Sequence, residues 1–481
     1  MKNIIIVGGG TAGYVSALIL KSRFKNINIK IIKSDKIGII GVGEGSTEHW
    51  KEFLRFVGIN EYDLIKKTDA TLKCGIMFKG WSEKDYLHSV VDELTHLKFG
   101  QTLLGYQKLI SLKCDQKKLN NPLFWENKIS TKSLINNVVP TNQYHFNTFK
   151  LNEFLEKESK LRGIKIIEDE IVNVETNNNI ISKLKGIKSE YVADLFIDCT
   201  GFKKLLISKL GAKWNSYKKF LKMKEAIAFP TEDAEEYNIY TVAQAMNYGW
   251  MFQIPTYGRQ GNGYIFDSNY INADQAKEEV EKLLNKKIEI GRHIKFDPGC
   301  LDKVWINNCV AIGLSANFVE PLEATSIGTS IQQTFLLMHC LPNYNQENIN
   351  FYNNQIDKIM INIRDFIILH YITDKKNTEF WKDLKKIEIP DSLKINLEKW
   401  KTRLPIREDF MDSNYLLFFE YNWIHILYGL NLININYLKE SIKFFHSDVL
   451  NYVDQTLDSI IKYDIDNIKH KEYLEIIRNN D

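Results

Sequence analysis

Nowhere does this 481-residue chain carry an apolar run long enough to cross a bilayer, and the stretch ending at Val7 is too short for a secretory signal. A membrane-spanning or exported protein is therefore not expected. An excess of one charge is lacking too: 63 Lys and Arg face 60 Asp and Glu, a formal net charge of +3, with no long run of either sign. That removes the electrostatic case for nucleic acid or an anionic membrane, and leaves small molecules or proteins as partners. The six cysteines (Cys74, Cys114, Cys199, Cys300, Cys309, Cys340) lie far apart, without a C-x-x-C or metal-ligand spacing. Buried, reduced thiols in a cytoplasm are the expectation, with no metal. Proline is scarce at nine residues, and neither a repeat nor a low-complexity linker divides the chain. Ile, Asn and Lys are abundant, as in an A/T-rich genome, which carries no functional meaning.

What is present is a hydrophobic share of 44% beside 26% charge, enough for a sizeable core in a chain of two or three domains' length. Asn3 to Val7 is a continuous apolar, β-branched run, Gly8 to Gly13 is a glycine turn, Tyr14 to Lys21 has helical periodicity, and a second strand is expected near Ile27 to Ile32. Further strands are expected at Lys165–Glu168, Leu195–Asp198, Gly249–Ile254, Gly263–Asp267 and Asn308–Ile312. The pattern predicts an α/β fold, a Rossmann-like βαβ unit with a mixed or antiparallel sheet added, over residues 1–330. From about Thr329 the texture turns to long helical patterns, punctuated by Pro342, Pro390 and Pro405. A mostly α-helical region over 331–481, packed on the first domain, is expected.

Gly8-Gly9-Gly10-Thr11-Ala12-Gly13 is G-x-G-x-x-G directly after a strand and before a helix, the setting in which the motif binds a dinucleotide. Gly8 permits the tight turn, Gly10 lets the backbone approach a pyrophosphate, and Gly13 allows the helix close to the strand. The helix N-terminus, at Thr11 and Ala12, then offers free N–H groups to the diphosphate. One expected feature is absent. The acid that usually holds a ribose hydroxyl at the end of the second strand is here Lys33, which either a misaligned strand end or a different adenosine contact, from Ser34 or Asp35, would explain.

Four further segments carry chemistry. They are Ile37-Gly38-Ile39-Ile40-Gly41-Val42-Gly43-Glu44-Gly45-Ser46, Ala70-Thr71-Leu72-Lys73-Cys74-Gly75 continuing to Trp81, Gly249-Trp250-Met251-Phe252-Gln253-Ile254-Pro255, and Gly313-Leu314-Ser315-Ala316-Asn317-Phe318-Val319-Glu320-Pro321-Leu322-Glu323-Ala324-Thr325-Ser326-Ile327. Together they resemble the flavin-dependent tryptophan halogenases. The matched stretches are I-G-x-I-G-V-G-E, the segment around the family's catalytic lysine, G-W-x-W-x-I-P, and G-L-A-x-x-F-x-E-P-L-E-x-T-x-I. Lesser matches, among them Tyr144-His145-Phe146, Asp198-Cys199-Thr200-Gly201-Phe202 and Arg364-Asp365-Phe366, spread the resemblance over most of the chain. Where this chain departs, with Gly45-Ser46 for Ala-Thr and Phe252 for the second tryptophan, it reads as a divergent member, of the phage-borne type if the A/T-rich composition is a guide.

The resemblance implies the FAD-binding GR2-type monooxygenase-like fold. It also implies that FAD is used as FADH2 delivered by a separate flavin reductase, and that O2 and a halide yield hypohalous acid for halogenation of a small aromatic substrate. It makes Lys73 and Glu323 catalytic, with Lys79 as a decoy lysine. Gly8, Gly10, Thr11, Ala12, Gly13, Ser34, Ile37, Ile40, Glu44, Gly313, Leu314 and Ile327 become cofactor contacts, and Thr325 and Ser326 flank the halide. Trp250 and Phe252 separate flavin from substrate, and Trp423 lies at the substrate pocket. A single-component flavin hydroxylase and an FAD-binding protein without turnover are the alternative readings. Substrate, halide preference and oligomeric state stay open, a homo-oligomer being compatible with everything above.

Overall fold

The computed structural model describes residues 2–38, 44–90, 102–113, 116–119, 121–375, 377–462 and 466–479; Ile40 and Cys114 lie outside them. Strand β1 (Asn3–Val7), helix α1 (Thr11–Arg23) and strand β2 (Asn28–Lys33) form the expected unit, with the two strands parallel and Val7 opposite Ile32. Leu195–Asp198 and Cys309–Ala311 extend the parallel sheet on one side and Lys165–Glu168 on the other, and Trp305–Ile306 closes one edge antiparallel. Strands covered on both faces must be apolar throughout, which is why Ile4-Ile5-Ile6 and Leu195-Phe196-Ile197 are legible as runs. α1 is buried from Gly13 to Leu20. It lies between the helices Thr325–Cys340 and Thr148–Leu161.

Gly8 and Gly13 are required by sterics. Gly8 sits at φ +124°, and a Cβ there would fall 2.2 Å from the Cys199 carbonyl oxygen; one on Gly13 would fall 2.1 Å from that of Gly8. Gly8→Ala is therefore expected to cost about 2–4 kcal/mol from backbone strain plus overpacking, read as a lower urea midpoint.

A second, seven-stranded sheet runs Arg292–Lys295, Glu225–Thr231, Arg259–Phe266, Gly249–Thr256, Thr241–Ala245, Gly75–Lys79, Tyr86–Ser89. It is antiparallel except where Gly75–Lys79 pairs parallel with Thr241–Ala245. A third sheet of only three strands matters most for the site. Gln143–Phe146 pairs on one side with Glu44–Gly45 and on the other with Thr71–Lys73, so His145 faces both Gly45 and Thr71.

The C-terminal region is helical as expected, and its strand Asn467–Lys469 pairs back onto Lys128–Ser130. The boundary expected at residue 330 falls inside the helix Thr325–Cys340. That helix is buried on nearly every face, and apolar residues from Ile4 to Ile477 join one continuous core, so no break in packing marks the change of texture. Among the described residues no helix is long and apolar enough to cross a membrane, no cluster of ligating side chains could hold a metal, and no disulfide joins the five cysteines.

Candidate active site

The glycine turn comes together with the Gly313-Leu314 segment. Gly313 has φ +68° and lies so close to α1 that a Cβ would stand 2.8 Å from the Ala12 Cβ, while its N–H donates to Gln333 Oε1 at 3.0 Å. At Gly10, by contrast, a Cβ would meet nothing within 4 Å, so the middle glycine faces open space where a diphosphate can approach. Glu44 is carried to the same place by its pairing with Phe146. Burial raises its carboxyl to about 7 against a hydrogen bond from Thr11, and its Oε2 has no partner. An orphaned acceptor beside a glycine loop suits a hydroxyl-bearing dinucleotide, so the residues present fit FAD. Ser34 is half-buried, and Ile37 is 54% exposed on the surface.

Lys73 ends the strand Thr71–Lys73 and is 1% exposed. Its Nζ donates to the Ser46 carbonyl at 2.8 Å, and Ser46 is itself fixed: its N–H donates to Tyr144 O, and its Oγ accepts from Tyr144 N, both at 2.9 Å. Burial lowers the ammonium to about 8, with the charge of Glu323 opposing. Lys79, six positions along, is only half-buried at the end of its strand. Gly45 matters here, because an alanine Cβ would stand 3.5 Å from Lys73 Nζ and 3.2 Å from the Ala324 Cβ. The Gly45 departure noted in the sequence thus leaves room at the lysine head.

Glu323 is 2% exposed. Burial pushes its carboxyl up, but His88 and His370 pull it down to about 2. His88 Nδ1 donates at 2.9–3.0 Å and His370 Nε2 at 2.9 Å. The other nitrogen of His370 faces the Phe366 carbonyl at 2.8 Å, so this ring meets an acceptor at each nitrogen. His88 is steadied on its far side by Asn422 at 3.2 Å. Lys73, Glu323, His88, Gln143, Phe418 and Asn422 are among the residues that line one pocket.

Because an ammonium buried in a dry site binds its proton less tightly than in the unfolded chain, the native state holds fewer protons than the unfolded state between pH 8 and 10.5. Lys73 thus weighs against folding most below pH 8, and its cost fades as pH rises to 10.5. Lys73→Met is expected to stabilise the fold at pH 7 by about 3 kcal/mol, since the ammonium falls from 10.5 to about 8 and one pKa unit is worth about 1.4 kcal/mol. Urea midpoints at pH 7 and pH 10 check it: the gain should shrink at the higher pH.

Thr325 and Ser326 open the helix Thr325–Cys340, where the first N–H groups have no intrahelical acceptor. The helix starts abruptly because Ala324 takes the left-handed conformation at φ 54°. Ile327 is buried in the same turn, and next to it Gly328 lies against Thr47. Trp250 is fully buried, and its Nε1 donates to Glu320 Oε2 at 3.1 Å; Tyr371 donates to the same oxygen at 2.7 Å. Phe252 shares the strand face, with ring centroids 6.3 Å apart, and lies flat against Gly263. Trp423 packs among Phe366, Trp400 and Phe410, and the pocket wall near it falls to Phe418 and Asn422.

Sequence reasoning missed His88, His370, Ser46, Gln143 and Asn422. Lone histidines and amides carry no linear signature, whereas the altered pair Gly45-Ser46 was a signal for the second partner of Lys73.

A glycine turn open to a diphosphate, an orphaned acid beside it, and a pocket lined by a buried lysine and a doubly hydrogen-bonded glutamate define the class as an α/β dinucleotide-binding fold with buried charged groups. A family model described as tryptophan halogenase matches residues 3–441. The chain belongs to the tryptophan halogenase family, whose members are flavin-dependent oxidoreductases acting on aromatic substrates. It is 29% identical to tryptophan 6-halogenase SttH of Streptomyces toxytricini over 477 residues, 90% of each chain. It is 30% identical to 7-chloro-L-tryptophan 6-halogenase KtzR of Kutzneria sp. (strain 744), over 84% of this chain and 86% of that one. Among solved structures, Tar14, a tryptophan C-6 flavin-dependent halogenase (chlorinase) from taromycin biosynthesis, superposes with a TM-score of 0.90 at 26% identity, covering 99% of this chain and 100% of its own.

Proposed function

We propose that this protein is a cytoplasmic, two-component halogenase in which Lys73 delivers an oxidised halogen to an electron-rich aromatic ring of the indole class. The observation that carries the reading is a lysine 1% exposed, with burial drawing its ammonium toward neutrality, in one pocket with the ionised Glu323.

Gly8, Gly10, Thr11, Ala12 and Gly13, with Glu44, Gly313, Leu314 and Ile327, would hold FAD. Once bound and reduced by a separate reductase, FAD would supply the reducing equivalents by which O2 and halide become hypohalous acid. The opening N–H groups of Thr325 and Ser326, at the positive end of their helix, would hold the halide. Trp250, tied to Glu320, and Phe252 would keep the organic substrate from the flavin side. At Lys73 the ammonium polarises hypohalous acid by hydrogen bonding, or the neutral amine takes the halogen and releases water. Glu323, fixed by two imidazoles, then receives the proton that the substituted ring carbon sheds. The named relatives are halogenases of tryptophan or, for KtzR, of 7-chloro-L-tryptophan; for this chain an indole or a comparable electron-rich ring is the proposal, and regiochemistry follows from how the pocket holds that ring.

The test supplies a flavin reductase, NADH, FAD, O2 and chloride, bromide or iodide with a panel of indoles and phenols. Products carrying one halogen by mass are expected with at least one halide. Hydroxylated products, or FAD binding with no product under any halide, would overturn the reading.

A further inference from the structure

Lys33 stands where a dinucleotide fold usually has a ribose-binding acid, and its side chain lies against the glycine turn. A Cβ on Gly9 would fall 2.6 Å from the Lys33 Cβ and 3.0 Å from its Cδ. The ammonium beyond that stem does not stand alone. It donates to Glu156 Oε2 at 2.7 Å and pairs with Asp35 at 3.0 Å.

Glu156 comes from the helix Thr148–Leu161, which packs along α1. Its Oε2 also accepts from Tyr14 of α1 at 2.8 Å, and its Oε1 accepts from Lys160 at 2.6 Å. Partial burial pushes the carboxyl up, yet these three donors hold it down to about 2, so it is a fixed anion. Oε1, with one donor, keeps room for another.

An independent observation comes from the preceding turn of the same helix. Asn152 is 7% exposed, and its Nδ2 donates to Thr11 Oγ1 at 3.2 Å and to Thr148 O at 2.9 Å. Its Oδ1 is buried with no partner, beside the first residue of the dinucleotide-binding helix. Residues four apart share a helix face. One face of this helix thus brings to the glycine turn an unused amide oxygen and, at the end of β2, a carboxylate.

We propose that the adenosine ribose of FAD is recognised by Glu156, delivered from the helix Thr148–Leu161 and clamped by Lys33 and Tyr14, with Asn152 Oδ1 as the neighbouring acceptor. Lys33 then acts as the holder of a relocated acid. This rests on the reading that the glycine turn holds FAD.

The test is binding, with no turnover involved. FAD affinity is measured by quenching of its fluorescence, and ADP and 2′,3′-dideoxy-ADP are compared as competitors of FAD. Wild type should bind FAD and prefer ADP over the dideoxy analogue by tenfold or more. Glu156→Gln should raise the FAD Kd at least tenfold and erase that preference, with the circular dichroism spectrum unchanged. The double variant Lys33→Glu with Glu156→Gln, which returns an acid to the strand end, should regain the preference. An unchanged preference in Glu156→Gln overturns the assignment even though FAD binds. Failure of wild type to bind either FAD or ADP overturns the flavin reading and this assignment with it.

Discussion

Lys73→Ala is expected to lower halogenated product by about 10³-fold or more, within the range that a positioned proton-transfer or nucleophilic group contributes, while FADH2 oxidation continues at the wild-type rate. The split follows from where the side chain lies. Lys73 touches the Ser46 carbonyl and lines the pocket shared with Glu323, whereas the glycine turn and Gly313 sit together around Ala12. Removing the amine leaves the dinucleotide side intact and strands the oxidised halogen. Single-turnover product yield, measured beside hypohalous acid trapped in free solution, is the decisive pair. Trapped oxidant should rise as product falls. Equal product after subtraction of the reaction with free oxidant would remove Lys73 from the chemistry. Lys79→Ala, on a half-buried lysine outside the pocket, should keep full activity.

Glu323→Gln should cost product by about 10²–10³-fold, the loss expected when a general base is neutralised in place. Its second effect is on the fold. The carboxylate accepts from His88 and His370 at once, and an amide presents a donor to one of them. A buried imidazole N–H that faces that donor loses its acceptor, which costs about 1–3 kcal/mol. The pH dependence has a definite sign: a carboxyl held at about 2 when folded and near 4.5 when free stabilises the native state above pH 4.5 and loses that contribution as pH falls toward 2. The stability gap between wild type and Glu323→Gln, read from urea midpoints, should therefore be full at pH 7 and smaller at pH 3. Glu323→Asp retains the charge and separates the two effects: it should keep part of the stability while placing the base too short to reach the ring. Wild-type halogenation by Glu323→Gln would end its assignment as the base.

The positions of Lys73 and Glu323 were legible because each sits in a linear run whose neighbours are constrained with it. Glu323 follows Glu320 and Pro321 just ahead of a buried helix start, and Lys73 ends a strand bounded by Gly75. His88 and His370 were not legible, since their role exists only through Glu323, which is 235 and 47 residues away respectively. Trp423 shows the converse. An indole in a helical stretch reads equally as pocket wall or core, and only its packing against Phe366 and Trp400 places it in the core.

By itself the sequence determined the βαβ unit, the glycine turn and the expectation of an FAD-dependent halogenase, because strand runs, tight turns and family motifs are local and contiguous along the chain. The tertiary structure decided the rest: that Lys73 is buried and its proton loosened, that Glu323 is held ionised between two imidazoles, that Gly45 leaves space at the lysine, and that Lys33 is paired with Glu156 from a distant helix. Burial, charge pairing and free space belong to what packs against a residue, and those neighbours come from segments far apart in the chain.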